Sequence, residues 1–316
     1  MKQALIKESL PLSLINHHDL RRQWKRDVKI YLILVPGIVY FLLFKYAPMW
    51  SIVLAFKNYK PAMGFSNSAW VGLTNFTKFF NGRDFSTLLA NTLRLAINNI
   101  LLFFPLPIVF ALILHELSNR RFKRVVQSVI YVPHFISWVV VIVITQQVFG
   151  ATGLVNGFVE KLGGSTIPFL YSKNWFRPIV LFQTMWKESG WGTIIFIAAL
   201  TAVNQDLYEA ATIDGANRIQ KLIHITLPGI RSTIIVMFIL RVGRFLDTGF
   251  EQIFLLLNAS NREVGQVFDT FSYEMAILQG RFSYGITVSI FKSVVGLLLV
   301  LVTDYLAKKS GEEGIL

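Results

Sequence analysis

The sequence predicts an all-α integral membrane protein with six transmembrane helices. Of its 316 residues 53% are hydrophobic and only 16% are charged, and the mean hydropathy of +0.53 is too high for a soluble domain of this length. Its apolar runs are long enough to cross a hydrocarbon core of about 30 Å as helices of about 20 residues. Basic clusters alternate with these runs, as is typical of multi-pass membrane proteins.

Six apolar runs are the predicted membrane spans. They are Ile30 to Phe56, Leu88 to Leu114, Gln127 to Phe149, Phe176 to Leu200, Ser232 to Leu257 and Tyr284 to Leu306. Several contain proline or glycine, at Pro36, Gly37, Pro48, Pro105, Pro107 and Pro133. Such residues are tolerated in a membrane where neighbouring helices or water satisfy the freed backbone groups. We therefore expect kinked helices around a cavity.

The distribution of lysine and arginine predicts the orientation. One set of loops and ends carries most of the basic residues, namely Arg21, Arg22, Lys25, Arg26, Lys29, Arg120, Arg121, Lys123, Arg124, Arg218, Lys221, Arg231, Lys308 and Lys309. The positive-inside rule places that set in the cytoplasm. We thus expect a basic segment at 1–29, a membrane domain at 30–306 with a cytoplasmic loop at about 202–231, and a cytoplasmic tail at 307–316. The net charge of +13 reflects this topology and contact with anionic lipid, not nucleic acid.

The cytoplasmic loop at about 202–231 predicts a small docking element. Asp206 is the expected N-cap of a helix from about Leu207 to Asp214, and Gly215 is expected to end it. A second helix from Ala216 to Thr226 is expected to stop at Pro228. Alanines and a glycine leave one side of the first helix almost free of side chains, so another protein could approach its backbone closely.

This loop carries a motif in which Glu209-Ala-Ala-Thr-Ile-Asp-Gly215 is followed, after nine residues, by Ile225-Thr-Leu-Pro228. The complete spacing resembles the signature of permease subunits of binding-protein-dependent ABC importers. The resemblance implies the type I ABC importer (MetI-like) fold and a coupling helix that docks on a separate cytoplasmic ATPase. Matched to the motif, the expected ATPase-coupling residues are Glu209, Ala210, Ala211, Asp214, Gly215, Leu227 and Pro228.

The N-terminal half is similar to the branch of these permeases that imports oligosaccharides and polysaccharide fragments. The similar segments are Tyr31-Leu-Ile-Leu-Val-Pro-Gly37, Tyr46-Ala-Pro-Met49, Ala55-Phe-Lys-Asn-Tyr59 with Pro61, and Trp70-Val-Gly-Leu-Thr-Asn-Phe76. The resemblance implies a bacterial plasma membrane location and a carbohydrate substrate. It also implies a second related permease, two ATPase subunits and an extracellular solute-binding protein as partners.

Charges within the fourth and fifth spans are the candidate substrate contacts. Ionisable side chains in a membrane usually face a bundle interior or a wet cavity, and an aromatic ring beside hydrogen-bonding groups suits a sugar. On a helix, Lys187 and Trp191 share one face; a continuous fifth helix would place its charges on one arc. The candidates are Lys187, Glu188, Trp191, Arg241, Arg244, Asp247 and Glu251. Structural pairing within the bundle is an equally good interpretation of any single charge, and the sequence leaves the charge of the sugar open.

Several kinds of chemistry find no support in the sequence. It has no cysteine and no phosphate-binding G-x-x-x-x-G-K-[ST] motif, so we expect no enzyme activity and no cofactor or metal on this chain, with ATP and Mg²⁺ on the partner ATPase. The five histidines look like unremarkable interfacial residues. Two alternatives are an ion-coupled secondary transporter that titrates Glu188 and Asp247, and a membrane scaffold or sensor. The secondary transporter lacks support from any inverted repeat and leaves the Glu209 loop unexplained.

Overall fold

The computed structural model describes residue 28, residues 31–309 and residue 311, and none of these residues belongs to a β-strand. The predicted basic segment at 1–29 lies outside the described residues except at residue 28, and the predicted tail at 307–316 lies outside them at residues 310 and 312–316. The chain divides into two units after Val53. The first unit contributes most of the helix that begins at Tyr31, and the second contains all the other helices described below.

Twelve helices among the described residues are used below to define the architecture. They are α1 (Tyr31–Phe56), α2 (Thr74–Phe80), α3 (Arg83–Glu116), α4 (Arg120–Tyr131), α5 (Trp138–Phe149), α6 (Lys173–Thr201), α7 (Gln205–Ile213), α8 (Arg218–Gly229) and α9 (Arg231–Gly243), α10 (Phe250–Leu256), α11 (Phe268–Tyr273) and α12 (Phe282–Lys309). A further short helix, Leu154–Lys161, continues from α5.

The described residues contain four helices that are long and apolar enough to cross a membrane, namely α1, α3, the segment Trp138–Lys161 and α12. The count rises to five if α8 and α9, which meet at a bend of 59°, form one span. Helix α6 has 29 residues and is long enough to cross, but Lys187 and Glu188 near its middle lower its apolar character. The prediction of six spans is therefore not confirmed.

The predicted third span, Gln127 to Phe149, is not one helix. Helix α4 already begins at Arg120, where the Asn119 side chain accepts hydrogen bonds from two backbone N–H groups, and it ends at Tyr131. A 3₁₀ turn, Val132–Phe135, follows, because Pro133 cannot donate the hydrogen bond that an α-helix needs. Helix α5 then begins behind Ser137, whose hydroxyl caps it. The break places His134 in the connection between α4 and α5.

The predicted fifth span, Ser232 to Leu257, is also broken. Helix α9 ends at Gly243, residues 244–249 form a turn and an extended segment, and α10 begins after Gly249, which has a φ of 85°. That left-handed conformation is costly for any residue with a side chain. The prediction that Arg241, Arg244, Asp247, Thr248 and Glu251 lie on one arc is wrong, since it assumed a continuous helix.

Helix α6 is the central element of the second unit. Near its C-terminal end Phe196 and Leu200 are buried against Ala111 of α3 and Ile230. Near its middle a chain of buried amides joins three helices, because Gln252 of α10 donates to Gln183 at 3.0 Å and Gln183 donates to Thr145 of α5 at 2.6 Å. Buried polar groups require partners of this kind. The network fixes α5 and α10 against α6, beside the sites described next.

Candidate functional site

A cavity of about 420 Å³ lies between α3, α6 and α9. Its volume is within the range of small-molecule sites, roughly 300–1,000 Å³. Phe103, Phe104 and Pro107 of α3 provide much of its apolar wall. Four of the seven predicted substrate-binding residues line it, and these are Glu188, Trp191, Arg241 and Arg244. An apolar, aromatic wall with a few charged groups suits a sugar, which has apolar C–H faces and a rim of hydroxyls.

Lys187 does not line this cavity. Its side chain is buried, with a relative exposure of 6%, and its ammonium donates to the backbone oxygen of His134 at 2.6 Å. The same ammonium lies 3.5 Å from Glu188 Oε1 and 5.4 Å from the centre of the Trp138 ring. Lys187 therefore satisfies its hydrogen bonds within the protein, and its predicted contact with substrate stays a prediction.

His134 contacts two of the α6 residues that line the cavity, Glu188 and Trp191. Its ring stacks on Trp191 with a centroid separation of 4.6 Å and an interplanar angle of 11°. Its Nδ1 lies 2.8 Å from Glu188 Oε2. These contacts overturn the interpretation of His134 as an unremarkable interfacial residue. The sequence signal that could have found it is Pro133, which breaks an apolar run immediately before a polar side chain.

The two arginines on the opposite wall differ in their surroundings. Arg241 Nη2 donates to Asn99 Oδ1 at 2.5 Å, and its guanidinium lies 5.2 Å from the centre of the Phe103 ring. Arg244 follows the last residue of α9 and is exposed. Arg244 also lines a neighbouring cavity of about 320 Å³. Within the described part of the chain, neither arginine forms an ion pair with a carboxylate.

The remaining predicted contacts lie outside the larger cavity. Asp247 lines the neighbouring cavity and lies 3.8 Å from Lys292 Nζ, while Lys292 also forms an ion pair with Asp269. Glu251 lies in the first turn of α10 and is exposed. The structure therefore separates Asp247 and Glu251 from Trp191, which the sequence had grouped with them.

The loop at about 202–231, which the sequence predicts to be cytoplasmic, folds as a pair of short helices that differ from the sequence prediction in their caps and ends. The cap of α7 is Asn204, whose side chain accepts from Asp206 N at 2.9 Å, so Asp206 is not the N-cap. The second helix starts after Asn217, which forms a capping box with Gln220. It continues past Pro228 to Gly229, because its last part is a separate short segment, Leu227–Gly229, in which Pro228 stands at a starting position that tolerates proline.

Most of the predicted coupling residues are exposed on this loop. Gly215 has a φ of 76°, and a Cβ built there would meet no atom within 4 Å. Beside it is a shallow groove of about 330 Å³ lined in part by Ala211, Asp214 and Lys221. Ile213, on the same helix, is 87% exposed. A groove, an open glycine and a protruding apolar side chain are features of a protein-docking surface. The other predicted coupling residues are Glu209 and Ala210, which are exposed, and Leu227 and Pro228 near the end of α8.

A helical membrane fold with an interior cavity lined by charged and aromatic side chains and an exposed loop of two short helices is that expected of a membrane permease subunit. Residues 104–311 match the family described as "Binding-protein-dependent transport system inner membrane component". The chain belongs to this family. Membership does not support the alternative of an ion-coupled secondary transporter.

Close relatives cover nearly the whole chain. It is 51% identical to protein LplB of Bacillus subtilis (strain 168) over 292 residues, which is 92% of each chain. It is 50% identical over 287 residues to the polygalacturonan/rhamnogalacturonan transport system permease protein YteP of the same organism, with 90% of this chain and 89% of YteP covered. A chain in the crystal structure of a bacterial alginate ABC transporter in complex with an alginate pentasaccharide-bound periplasmic protein has a TM-score of 0.85 and 34% identity, with 93% of this chain and 99% of that chain covered.

Proposed function

We propose that this chain is one permease subunit of an ATP-driven importer that takes up an acidic oligosaccharide delivered by an extracellular binding protein. A second related permease completes the membrane pathway, and two copies of a cytoplasmic ATPase drive it. Both termini and the α7–α8 loop lie in the cytoplasm. The chain binds neither cofactor nor metal and has no ATPase site of its own, so ATP and Mg²⁺ bind to the partner ATPase.

The observation that carries the acidic substrate is the unequal pairing of charges around the cavity. Glu188 lies against His134 and near Lys187, so this carboxylate is compensated within the protein. Arg241 and Arg244 form no ion pair with a carboxylate of the described residues. Two guanidinium groups at one cavity, neither in an ion pair with a carboxylate although Arg241 lies in the field of Asp247 and Glu188, favour an anionic ligand, and arginine binds carboxylates in a bidentate manner.

Trp191 provides the aromatic surface of the proposed substrate site. It is 49% exposed, it lines the cavity, and one of its faces is covered by the His134 ring. The other face is available for the C–H side of a sugar ring. The relatives support this choice of substrate, because YteP is named for polygalacturonan and rhamnogalacturonan, and a structural neighbour imports the acidic polysaccharide alginate.

The coupling residues Glu209, Ala210, Ala211, Asp214, Gly215, Leu227 and Pro228 form the proposed docking surface for the ATPase. Closure of the ATPase dimer on ATP would move α7 and α8. The bend between α8 and α9 links this loop directly to the helix that carries Arg241. Movement at the loop thereby changes the cavity, and hydrolysis resets it.

The test is uptake by the complete complex, reconstituted with its binding protein and ATPase in proteoliposomes. Trigalacturonate is the acidic probe and maltotriose is the neutral probe of equal length. We expect uptake of trigalacturonate, with Arg244→Ala and Trp191→Ala each lowering it by roughly tenfold or more, since each removes a charge-assisted hydrogen bond or a stacking surface. Leu298→Ala, at a side chain of α12 that is 55% exposed, is the control.

The charge of the substrate and the subunit that contacts it are tested separately. Equal transport of both probes would contradict the acidic substrate. Unchanged uptake in Arg244→Ala and Trp191→Ala, at protein levels matched to Leu298→Ala, would place the substrate contacts on the other permease subunit.

A further inference from the structure

One residue outside α6, His134, contacts three residues that lie within two turns of that helix. Lys187 donates to the backbone oxygen of His134 at 2.6 Å, Glu188 lies 2.8 Å from its Nδ1, and Trp191 stacks on its ring at 4.6 Å. Lys187 is buried, while Glu188 and Trp191 line the cavity. His134 itself does not line the cavity and contacts it only through these side chains.

We infer that His134 is a positioning residue that determines how the sugar is held, an inference that rests on the proposed function. The imidazole covers one face of Trp191, so a sugar ring can stack only on the opposite face. It also fixes the Glu188 carboxylate at one edge of the cavity as a hydrogen-bond acceptor for sugar hydroxyls. His134 thereby converts two mobile side chains into a preorganised surface, which lowers the ordering cost of binding.

The hydrogen-bond roles follow from the chemistry of the two groups. An ionised carboxylate can only accept hydrogen bonds, so Nδ1 of His134 carries the proton and donates to Glu188. The Lys187 ammonium lies 3.5 Å from the other carboxylate oxygen. One carboxylate oxygen thus faces the imidazole and the other faces the ammonium. Rotation of the Glu188 side chain would lose both interactions.

Backbone geometry places the imidazole against Trp191. The 3₁₀ turn at Val132–Phe135 redirects the chain toward α6, where Gly190 allows close approach. A Cβ on Gly190 would lie 1.9 Å from the backbone oxygen of Ile130, so only glycine permits this packing. The turn containing His134 therefore lies directly beside the residues of α6 that it contacts.

The test is a double-mutant cycle between His134 and Trp191 in the reconstituted complex, with trigalacturonate as the probe. We expect His134→Ala to lower uptake at limiting sugar by roughly three- to tenfold, the range of one aromatic contact, mainly through KM. In a Trp191→Ala background the same change should cost clearly less, because the stacking contact is already gone and only the contact with Glu188 remains to be lost. Val132→Ala, at an exposed side chain of the same turn, is the control and should match wild type.

Two conservative variants separate the ring from the hydrogen bond and guard against misfolding of His134→Ala. His134→Phe keeps a ring for Trp191, and His134→Asn keeps a donor for Glu188; each should recover part of the loss. Additive losses in the double mutant would overturn the inference, as would wild-type uptake in His134→Ala at matched protein level. Failure of the wild-type complex to import any sugar would instead refute the proposed function.

Discussion

Replacement of Gly190 by alanine tests the packing that brings α4 and α6 together beside the cavity. The added Cβ would lie 1.9 Å from Ile130 O and 2.6 Å from Ile130 C, about 1.5 Å closer to the oxygen than an ordinary contact of roughly 3.4 Å. Both atoms belong to the backbone, so no side-chain rotation relieves the clash. The helices must separate, and overpacking of this kind costs about 1–3 kcal/mol or more.

A separation of that size would also break the contacts of His134. Its Nδ1 lies 2.8 Å from Glu188 Oε2, and a hydrogen bond does not persist beyond about 3.5 Å. We therefore expect Gly190→Ala to lower both the thermal unfolding midpoint of the purified complex and the uptake of trigalacturonate. The uptake loss should be at least as large as that of His134→Ala.

Gly157→Ala is the matched control for this substitution. Gly157 is also helical, but a Cβ there would meet no atom within 4 Å. Alanine is favoured over glycine within a helix, so Gly157→Ala should leave both the midpoint and the uptake unchanged or slightly raised. An unfolding midpoint and an uptake rate for Gly190→Ala equal to those of Gly157→Ala would refute the reasoning.

Two further predictions concern topology and coupling. Because the chain contains no cysteine, single cysteines introduced at the exposed positions Ser118, Asn217 and Ser260 report sidedness directly. An impermeant thiol reagent applied to intact cells should label only the cysteine at Ser260, and labelling at Asn217 would contradict the cytoplasmic loop. Gly215→Trp should abolish uptake while the protein still inserts, because the indole fills the space that a docked ATPase needs. Gly215→Asn is the control, since asparagine tolerates a positive φ and adds little bulk; normal transport by Gly215→Trp would show that this surface does not dock the ATPase.

The sequence predicted the class of fold well and the continuity of two helices poorly. Long apolar runs and basic clusters identify a membrane bundle because the hydrocarbon core imposes a minimum length on every span. The same apolar runs extend through the break at Pro133 and through the one at 244–249, so hydropathy alone hides both. In the second case the breakers are two glycines that flank Arg244 and Asp247, and glycines within a membrane helix are common enough to carry little information.

Four of the predicted substrate contacts line one cavity, but the sequence did not predict how they are arranged. Trp191, Glu188, Arg241 and Arg244 were selected because charges and aromatic rings are conspicuous within an apolar helix. The partner of Glu188 and Trp191, His134, is 54 positions from Glu188 in the sequence, and no local pattern links them. Lys187 and Trp191 are one helical turn apart, as the sequence predicts. The buried Lys187 ammonium nevertheless donates a hydrogen bond to a backbone oxygen, whereas the Trp191 indole lines the cavity.

The break in the fifth predicted span decides the charge of the cavity. In a continuous helix Arg244 and Asp247 would be neighbours at a spacing of three residues and would pair. After the helix ends at Gly243, Asp247 lies instead 3.8 Å from Lys292, and Arg244 is left to line the cavity beside Arg241. The predicted substrate contacts contain as many acidic as basic residues. In the structure, one of these acids and two of these bases line the larger cavity. Non-helical backbone within a membrane is tolerated where it lines a cavity or is buried in protein, and here it places the Arg244 guanidinium at the cavity, where the proposed acidic sugar would meet it.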